Sequence, residues 1–326
     1  MKLLKLIPDH TNIHFLKWRV PFYITSLLLM AASWGLVMTK GLNLGVDFIG
    51  GQMIRVTFER SAEAPVAQLR QEVSRLGYGE PIIQRYGKPN EISIRMKLPA
   101  GSDHDASLSD KMARTITADV KKNHADARID GVDSVSGKVS QELGWDAFKA
   151  LGLAALAVAA YIWLRFEWQF GVGALLSLVH DVSLTLGMFA LTQMEFDLNI
   201  VAALLTLIGY SLNDTIVVYD RIRENLKKFR KMPMPELLDL SVNETLARTI
   251  VTSLSMLITL VALLILGPDV IFGFTAAITL GIFVGTYSSI YMAAPILIWL
   301  KVNPKSFVPT ESALDKQERL AREGVV

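Results

Sequence analysis

The chain has 326 residues, of which 51% are hydrophobic, and its mean hydropathy is +0.36. This composition is too apolar for an ordinary soluble domain, whose apolar share is usually about 45–50% even with glycine counted. The net charge of +2 gives no overall field that would favour nucleic acid, and the absence of cysteine excludes disulfides and thiolate metal sites.

Six apolar segments are candidates for membrane helices, because a helix needs about 20 mostly apolar residues to cross a bilayer. These segments are residues 20–38, 147–164, 170–192, 198–219, 250–266 and 270–300. The last is long enough to tilt, or to continue past Pro295 as a helix at the membrane surface. No small-residue cleavage site follows the first, so we interpret it as a retained span rather than a removed signal peptide.

Lysine and arginine residues predict the orientation of these spans, since loops rich in them stay in the cytoplasm. They are frequent in the N-terminal segment 1–19, the loop 220–248 and the tail 301–326, whereas the hairpins at residues 195–197 and 268–269 have none. Both termini are therefore predicted to be cytoplasmic. Residues 40–141 are predicted to form an exported domain between the first two spans.

The exported segment alternates between strand-like and helix-like patterns. Strands are predicted in QMIRVTF, PIIQRYG, EISIRMKL and ARIDGVDSVSG, and helices in APVAQLRQEVSRLG and SLSDKMARTITADVKKN. The order βαββαβ predicts a small ferredoxin-like sandwich of an antiparallel sheet and two helices. Nothing in it has the pattern of a catalytic site, and we interpret it as a module that contacts a partner.

Catalytic and cofactor motifs are missing from the sequence as a whole. Neither a Walker loop nor a GxSxG segment occurs, and the five scattered histidines do not have the HExxH spacing of a zinc site. No nucleophile–base pair is indicated either. We therefore predict that the protein is not an enzyme and that it uses no cofactor.

Asp214 is the residue that fits least well with the lipid environment of its span. An aspartate near mid-membrane costs about 2.5–3.5 kcal/mol on insertion scales, so such residues usually mark a functional site. Tyr210, one turn before it, and Arg221, two turns after it, share its helix face. Tyr210 also has a simpler interpretation as a packing aromatic.

Three further polar residues lie in or beside the spans. Arg248 begins the fifth span and can reach toward Asp214 if the two helices pack together, although it could instead be only a topology determinant. His180 and Asp181 form a second polar site near mid-depth in the third span. His180 could be a hydrogen-bonded packing residue, whereas a buried carboxylate normally neutralises or finds a partner.

A carboxylate in lipid is subject to two opposing effects. Desolvation disfavours its charged form, whereas an approaching arginine favours it. If Arg248 moves, or if water enters, the protonation of Asp214 changes and a different helix packing becomes favourable. The pattern therefore predicts a proton-coupled two-state switch, with protons as the coupling ion.

Four stretches of the sequence resemble motifs of the SecD/SecF family. They are GLNLGVDFIGG after the first span, LVHDVSLTLG in the third, YSLNDTIVVYDRIREN in the fourth and NETLARTIVTSLSMLITL entering the fifth. The resemblance covers nearly the whole chain. The single exported domain and the NDT…YDRIREN motif resemble those of SecF members of the family rather than those of SecD members.

This resemblance implies a fold, a location and a set of partners. SecF-like proteins are similar in membrane fold to the RND exporters, so the six spans would be half of a twelve-helix bundle, with an α+β ferredoxin-like domain in the periplasm. The resemblance implies a multi-pass protein of the bacterial inner membrane, embedded in the lipid bilayer and paired with a SecD-like subunit. It also implies contact with the SecYEG channel and use of the proton-motive force to promote release of the translocating preprotein.

The resemblance assigns roles to residues of the fourth and fifth spans. The family's intramembrane aspartate corresponds to Asp214, and its arginine at the start of the fifth span corresponds to Arg248. Asn213 matches the motif beside that aspartate. Asn213 and Tyr210 are then expected to orient the carboxylate through hydrogen bonds.

Other motif positions have less specific expectations. His180 and Asp181 are expected to act as relay or packing-switch residues. The remaining signature positions are Gly45, Asp47, Gly50, Gly51, Asp220 and Arg221. Asp47 could simply cap the turn where the first span meets the exported domain.

Two other functions stay open on the sequence. A proton-coupled small-molecule exporter of the RND type shares the fold, but six spans and one modest outside domain provide no obvious porter cleft. A purely structural scaffold would tolerate isosteric neutralisation of both aspartates, which a proton-driven subunit would not.

Overall fold

The computed structural model describes residues 8, 11–85, 88–97 and 106–302. Its helices are α1 (Arg19–Thr39), α2 (Val46–Ile49), α3 (Val66–Arg75), α4 (Ala106–Asn123), α5 (Gly137–Arg165), α6 (Trp168–Thr192), α7 (Leu198–Lys228), α8 (Met234–Leu266), α9 (Phe272–Ser288) and α10 (Ala294–Trp299). Its strands are β1 (Asn43–Leu44), β2 (Gly51–Phe58), β3 (Ile82–Arg85), β4 (Glu91–Met96), β5 (Ala127–Val135) and β6 (Glu195–Phe196). Two of the predicted segments lie partly outside the described residues. They are the N-terminal segment 1–19, at residues 1–7 and 9–10, and the tail 301–326, at residues 303–326.

Six helical stretches among the described residues are long and apolar enough to cross a membrane, which confirms the predicted number of spans. In α6, α7 and the stretch from α9 to α10, more than half of the most apolar window is buried inside the protein. In α1, α5 and α8 less than a fifth of it is buried. The bundle therefore has a core of three helices surrounded by three whose apolar surfaces are available to lipid or to another membrane subunit.

Exposed tryptophans mark the two edges of the apolar belt, where aromatic residues prefer the membrane–water interface. Trp18, Trp163, Trp168 and Trp299 lie at the helix ends on one side of the bundle, and Trp145 lies near the start of α5 on the other. Trp145 and Trp163 are 18 positions apart in one helix, which at about 1.5 Å per residue is roughly 27 Å. That separation is close to the thickness of a bilayer's hydrocarbon core, about 30 Å.

The predicted loop 220–248 is wrong, because most of it is helical. Helix α7 continues to Lys228 instead of ending at residue 219, and α8 begins at Met234 instead of at residue 250. Only residues 229–233 connect them. The two extensions bury apolar side chains such as Leu226 and Leu237 against each other while exposing charge. A hydropathy pattern detects the lipid around a helix, and it misses a helix that continues into water.

The second span also begins earlier than predicted, at Gly137 instead of residue 147. Residues 137–141 therefore belong to α5 and not to the exported domain, which was predicted over residues 40–141. The Ser136 side chain caps the helix by accepting a hydrogen bond from the backbone N–H of Val139.

The last span, predicted over residues 270–300, is interrupted. A π-helical turn, Ser289–Ala293, separates α9 from α10. Pro295 follows at once, and since proline has no N–H it cannot continue the regular hydrogen-bond pattern of the helix. The Tyr219 hydroxyl donates a 3.0 Å hydrogen bond to the Ala293 carbonyl in the same turn, so one irregular backbone acceptor finds its partner on α7.

The exported segment folds as predicted, into a ferredoxin-like α/β domain. Its antiparallel sheet has the strand order β3–β4–β2–β5, and α3 and α4 cover one face. The core beneath these helices contains Ile54, Val56, Phe58, Ile92 and Ile94. The opposite face of the sheet, which includes Met53, Arg55, Ser93 and Arg95, faces the membrane bundle in part.

Candidate functional site

Asp214 lies on α7 and is 3% exposed. Its Oδ2 atom accepts a hydrogen bond of 3.2 Å from the Ser253 hydroxyl on α8. The Ser253 oxygen in turn accepts a 2.7 Å hydrogen bond from Thr286 on α9. The carboxylate is thus linked to two neighbouring helices through uncharged hydroxyl groups.

Arg248, the expected counter-ion, does not pair with Asp214 in this structure. Its side chain is exposed, and among the described residues it has no ion pair within 4 Å. Since Ser253 lies opposite Asp214, Arg248 is five residues nearer the α7–α8 turn, or about 7.5 Å along the helix axis. Five residues also rotate the Arg248 side chain by about 140° around α8 relative to Ser253.

Hydrogen bonds between two signature motifs, one on α7 and one on α8, fix the relative position of these helices. The Arg221 guanidinium donates to Glu244 at 2.7 Å, and the Asn225 amide donates to the same carboxylate at 2.7 Å. The Asn225 amide also donates to Ser241 at 3.0 Å. The YDRIREN motif of α7 therefore binds the NETLAR motif of α8. This contact fixes the position of Arg248, which lies one helical turn after Glu244 on α8.

Asp220 makes a separate contact. Its carboxylate is 3.2 Å from the Arg165 guanidinium at the end of α5. The Arg165 and Arg223 guanidinium groups both lie over the Phe166 ring, at 5.1 Å and 5.8 Å from its centroid. Asp220 thus belongs to the contact that joins the ends of α5 and α7.

Asp181 lies on α6 and is fully buried. Its Oδ1 atom is 2.9 Å from the His180 Nδ1 atom, and its Oδ2 atom accepts hydrogen bonds from Ser211 at 2.5 Å and from Ser288 at 2.9 Å. Hydroxyls from α7 and α9 therefore take the place of water around this carboxylate. The His180 Nε2 atom is also buried and has no hydrogen-bond partner among the described residues.

The two buried acids share α9 as a neighbour. Thr286 contacts Asp214 through Ser253, and Ser288, two residues further along α9, contacts Asp181 directly. A rotation or shift of α9 would therefore change the surroundings of both acids.

Sequence reasoning missed the two hydroxyl partners of Asp181, Ser211 and Ser288, and also Thr286, which donates to the Ser253 partner of Asp214. The available signal was weak, because a serine or threonine within an apolar helix commonly bonds to a carbonyl of its own helix, as Thr206 does with Ala202.

Neither of the two expected orienting residues hydrogen-bonds directly to Asp214 in this structure. Asn213 is exposed and has no hydrogen bond to Asp214, because neighbouring residues on a helix point about 100° apart. Tyr210 lies one turn from Asp214 on the same face, close to Ser253. Its hydroxyl is buried and has no hydrogen-bond partner within the described chain.

Signature residues near the exported domain form a tight junction. The Asp47 Oδ2 atom accepts a 3.0 Å hydrogen bond from the backbone N–H of Leu198, the first residue of α7. Asp47 therefore provides a second acceptor at the start of the helix that carries Asp214, beside the N-cap residue Asp197, and does not act at the turn after α1. This differs from the expectation because the two elements are 151 positions apart in sequence.

The three glycines of this signature are needed because the chain passes through confined space. Gly51 has φ 121°, and a Cβ there would lie 2.2 Å from the Met96 carbonyl oxygen. Gly50 has φ 70° and packs against Gly137, and a Cβ on Gly45 would lie 3.0 Å from a Glu195 carboxylate oxygen. L-amino acids with side chains rarely adopt these positive φ values.

Burial raises the pKa of two acids in the junction, Glu195 and Asp197. The Arg95 guanidinium, 3.8 Å from the Glu195 carboxylate, opposes the rise in the pKa of Glu195. No group of three or more His, Asp or Glu side chains within the described ranges is placed to hold a metal ion.

A six-helix bundle with buried acids in its core and a ferredoxin-like domain at one end defines a multi-pass membrane protein with the features of a transport component. The profile described as "Protein export membrane protein SecD/SecF, C-terminal" matches residues 113–303, and the profile described as "SecD/SecF GG Motif" matches residues 35–62. The chain belongs to the SecD/SecF family of protein-export membrane proteins.

Individual relatives agree with this assignment. The protein translocase subunit SecF of Cereibacter sphaeroides is 44% identical over 304 residues, which are 92% of this chain and 93% of the relative. SecF of Pseudomonas aeruginosa is 37% identical over 301 residues, which are 92% of this chain and 95% of the relative. These relatives are named as translocase subunits, that is, as transport components.

Solved structures of SecDF also match. The crystal structure of SecDF from Thermus thermophilus is 34% identical with a TM-score of 0.80, over 91% of this chain and 40% of that chain. SecDF in a super-membrane-facing form is 32% identical with a TM-score of 0.59, over 98% of this chain and 40% of that chain. The chain thus spans well under half of the solved SecDF molecule.

Proposed function

We propose that this chain is the SecF-like subunit of a bacterial protein-export machine and that it uses the proton-motive force to promote preprotein translocation and release at the periplasmic side. The observation that carries the proposal is the state of Asp214. It is a buried acid held only by a neutral hydroxyl, while Arg248 lies unpaired about 7.5 Å away along the helix. A buried carboxylate without a charged partner favours its protonated form.

Two states of the bundle follow from this arrangement. In one, Asp214 is protonated and bonded to Ser253. In the other, the proton has left toward the inner side, and the charged carboxylate attracts Arg248, which draws α8 along α7. Uptake of a proton from the exported side restores the first state, so each cycle carries one proton inward per titrating carboxylate.

The available energy is sufficient for such a switch. One charge crossing the membrane is worth about 2.3 kcal/mol per 100 mV of potential. Each pH unit of gradient adds about 1.4 kcal/mol. Together they shift a two-state equilibrium by more than tenfold. Asp181, with His180 beside it, is the second group in this proposal, acting as a relay or as a packing switch through Ser211 and Ser288.

The partners follow from the incomplete burial of the bundle. The apolar surfaces of α1, α5 and α8 are largely open, and the exposed amide of Asn213 lies within the apolar span of α7. A polar amide facing lipid is unfavourable, which supports a SecD-like subunit at this face. The SecYEG channel and the translocating preprotein would meet the assembly on its exported side, and both termini would lie in the cytoplasm.

The test is export reconstituted with the full chain and its SecD-like partner. Asp214→Asn should abolish the stimulation of preprotein translocation by a proton gradient while leaving gradient-independent translocation unchanged. The control is Glu236→Gln, which neutralises an exposed acid in the first turn of α8 and should retain the stimulation. Equal stimulation in wild type and Asp214→Asn would overturn the proposal.

A further inference from the structure

One buried arginine of the exported domain contacts the membrane bundle at two places. Arg95 on β4 is 3% exposed. Its guanidinium donates to the Leu44 carbonyl at 2.9 Å and to the Asn43 side chain at 2.8 Å, in the segment that follows α1. It also lies 3.8 Å from Glu195 in the hairpin between α6 and α7. The domain thus contacts two separate parts of the bundle through a single side chain.

Those two parts are themselves joined. Strands β1 and β6 pair in parallel, and the Gly45 backbone N–H donates to the Phe196 carbonyl at 2.9 Å. The Asn43 amide donates to the Gln193 carbonyl at 2.8 Å, and the Gln193 amide donates to the Gly41 carbonyl at 3.1 Å. Residues 41–51 and 193–198 are therefore cross-linked by hydrogen bonds along their length, and we call them the connector.

The connector ends on the helix that carries the buried acid. Asp47 accepts a hydrogen bond from the N–H of Leu198, where α7 begins. From there an uninterrupted helix reaches Asp214, 16 residues further on, or about 24 Å. At its other end, the connector continues without a break into β2 through Gly50 and Gly51. Their surroundings leave no room for a side chain.

An arginine is an expensive way to hold two surfaces together, because burying its charge costs several kcal/mol, and the buried Arg95 Nε atom has no hydrogen-bond partner among the described residues. Apolar contacts would give adhesion at lower cost. The planar guanidinium has fixed donor directions, so Arg95 specifies a position as well as an attachment. Asp47 does the same at the first turn of α7, since a cap requires a defined angle between the carboxylate and the backbone N–H.

We propose that the connector transmits the position of the exported domain to α7, and that Arg95 and Asp47 are the positioning residues of this coupling. Movement of the domain would then change the position of α7, and movement of α7 during proton transfer would move the domain. The effect on transport rests on the function proposed above, whereas the mechanical coupling can be measured independently.

The coupling can be measured by distances between spin labels, because the chain has no cysteine of its own. Ala67→Cys on α3 and Thr192→Cys at the end of α6 are exposed and lie outside the connector. In the full chain in lipid nanodiscs we expect one narrow distance distribution. Arg95→Gln and Asp47→Ala should each at least double its width, and Asp47→Asn, which retains an acceptor oxygen, should preserve it.

Arg55→Gln is the matched control. Arg55 lies on the same face of the sheet as Arg95, but it pairs at 2.5 Å with Asp133 within the domain. It should leave the distribution narrow. Narrow distributions in both Arg95→Gln and Asp47→Ala would overturn the coupling, as would equal broadening in the Arg55 control.

Export assays on the same variants separate this inference from the function proposed above. We expect Arg95→Gln and Asp47→Ala to lose most of the gradient stimulation while gradient-independent translocation is retained. If these variants broaden the distances but keep full stimulation, while Asp214→Asn loses it, the coupling has no role in transport and the proposed function stands. If Asp214→Asn keeps full stimulation, the proposed function fails, and the distance measurements still decide whether the connector is rigid.

Discussion

The Ser253 hydroxyl on α8 donates a hydrogen bond to the Asp214 carboxylate on α7, across the interface where a salt bridge with Arg248 was expected. This hydrogen bond is compatible with a protonated acid, whereas an arginine pair would stabilise the charged form. In the proposed cycle, this arrangement would correspond to the state in which Arg248 is released.

We expect Ser253→Ala to destabilise the bundle. It removes the partner of a buried carboxyl group, which costs about 1–3 kcal/mol; the Thr286 hydroxyl retains the Ile282 carbonyl as its acceptor. The measurement is the thermal unfolding temperature of the full chain in nanodiscs. Ser255→Ala is the control, because the Ser255 hydroxyl is exposed and bonds only to the Val251 carbonyl of its own helix. A similar loss in both variants would contradict the prediction.

A second prediction concerns the surroundings of Asp181. Ser288→Ala removes one of the two hydroxyls that bind its Oδ2 atom, so we expect a loss of about 1–3 kcal/mol in unfolding free energy. In combination with Asp181→Asn the losses should not add, because both changes act on one hydrogen-bonded cluster. Thr279→Val provides the comparison, since Thr279 bonds only to the Thr275 carbonyl. Additive losses would show that Ser288 does not act through Asp181.

Two glycine-to-alanine changes, at Gly173 and at Gly152, should alter the stability of the bundle in opposite directions. A Cβ on Gly173 would lie 2.4 Å from the Tyr219 hydroxyl, which donates to Ala293 in the π-helical turn. Gly173→Ala should therefore destabilise the bundle by about 1–3 kcal/mol through overpacking. Gly152→Ala, with nothing within 4 Å of the added carbon, should gain roughly 0.5–1 kcal/mol from helix propensity.

The contact between Gly173 and Tyr219 offers an internal check. Tyr219→Phe removes the hydroxyl that clashes, so the double variant of Gly173→Ala with Tyr219→Phe should recover part of the loss. The measurement is the unfolding free energy in nanodiscs of the wild type, the two single variants and the double variant. No recovery in the double variant would mean that the destabilisation comes from another neighbour, such as Ile296.

The exported domain should lose stability in acid through Glu72. Burial by itself raises the pKa of Glu72, but hydrogen bonds from Gln68 and His124 and the charge of His124 outweigh it and hold the pKa below its usual value of 4.5. A folded-state pKa below the unfolded one stabilises the domain above pH 4.5. This stabilisation is lost as the pH falls through the lower, folded value.

Hydrogen exchange of domain amides in the full chain measures this dependence. Protection should fall below pH 4.5 in the wild type, and the fall should be smaller in Glu72→Gln. Glu59→Gln serves as control, because Glu59 is 55% exposed and pairs with Arg128 at the surface. A fall in Glu72→Gln as steep as in the wild type would rule out this pair as the cause.

Much of the fold could be predicted because the signals are local. An apolar run of about 20 residues indicates a membrane helix wherever it occurs, and the alternation of apolar and polar residues in 51–58 and 91–96 indicates strands. Asp181 and Asp214 were identifiable as candidate site residues for a related reason. Each is a charged group in a stretch where lipid or a packed core excludes water.

Helix ends and hydrogen-bond partners could not be predicted in this way. The extensions of α7 and α8 contain Arg221 and Glu244, which a hydropathy pattern assigns to a loop, although their mutual ion pair stabilises the helices. The expected role of Asn213 failed because adjacency in sequence is not adjacency in space on a helix. Asp47 was expected to act locally, whereas its partner Leu198 is 151 positions away.

The sequence by itself determined the number of spans, the βαββαβ order of the exported domain, the family motifs and the unusual position of two acids. The tertiary structure alone decided what those acids contact: Ser253 instead of Arg248 for Asp214, and Ser211 and Ser288 for Asp181. The physical reason is that each of these contacts depends on the relative rotation and register of packed helices. That register results from many side chains acting together, and it cannot be predicted from the periodicity of one helix.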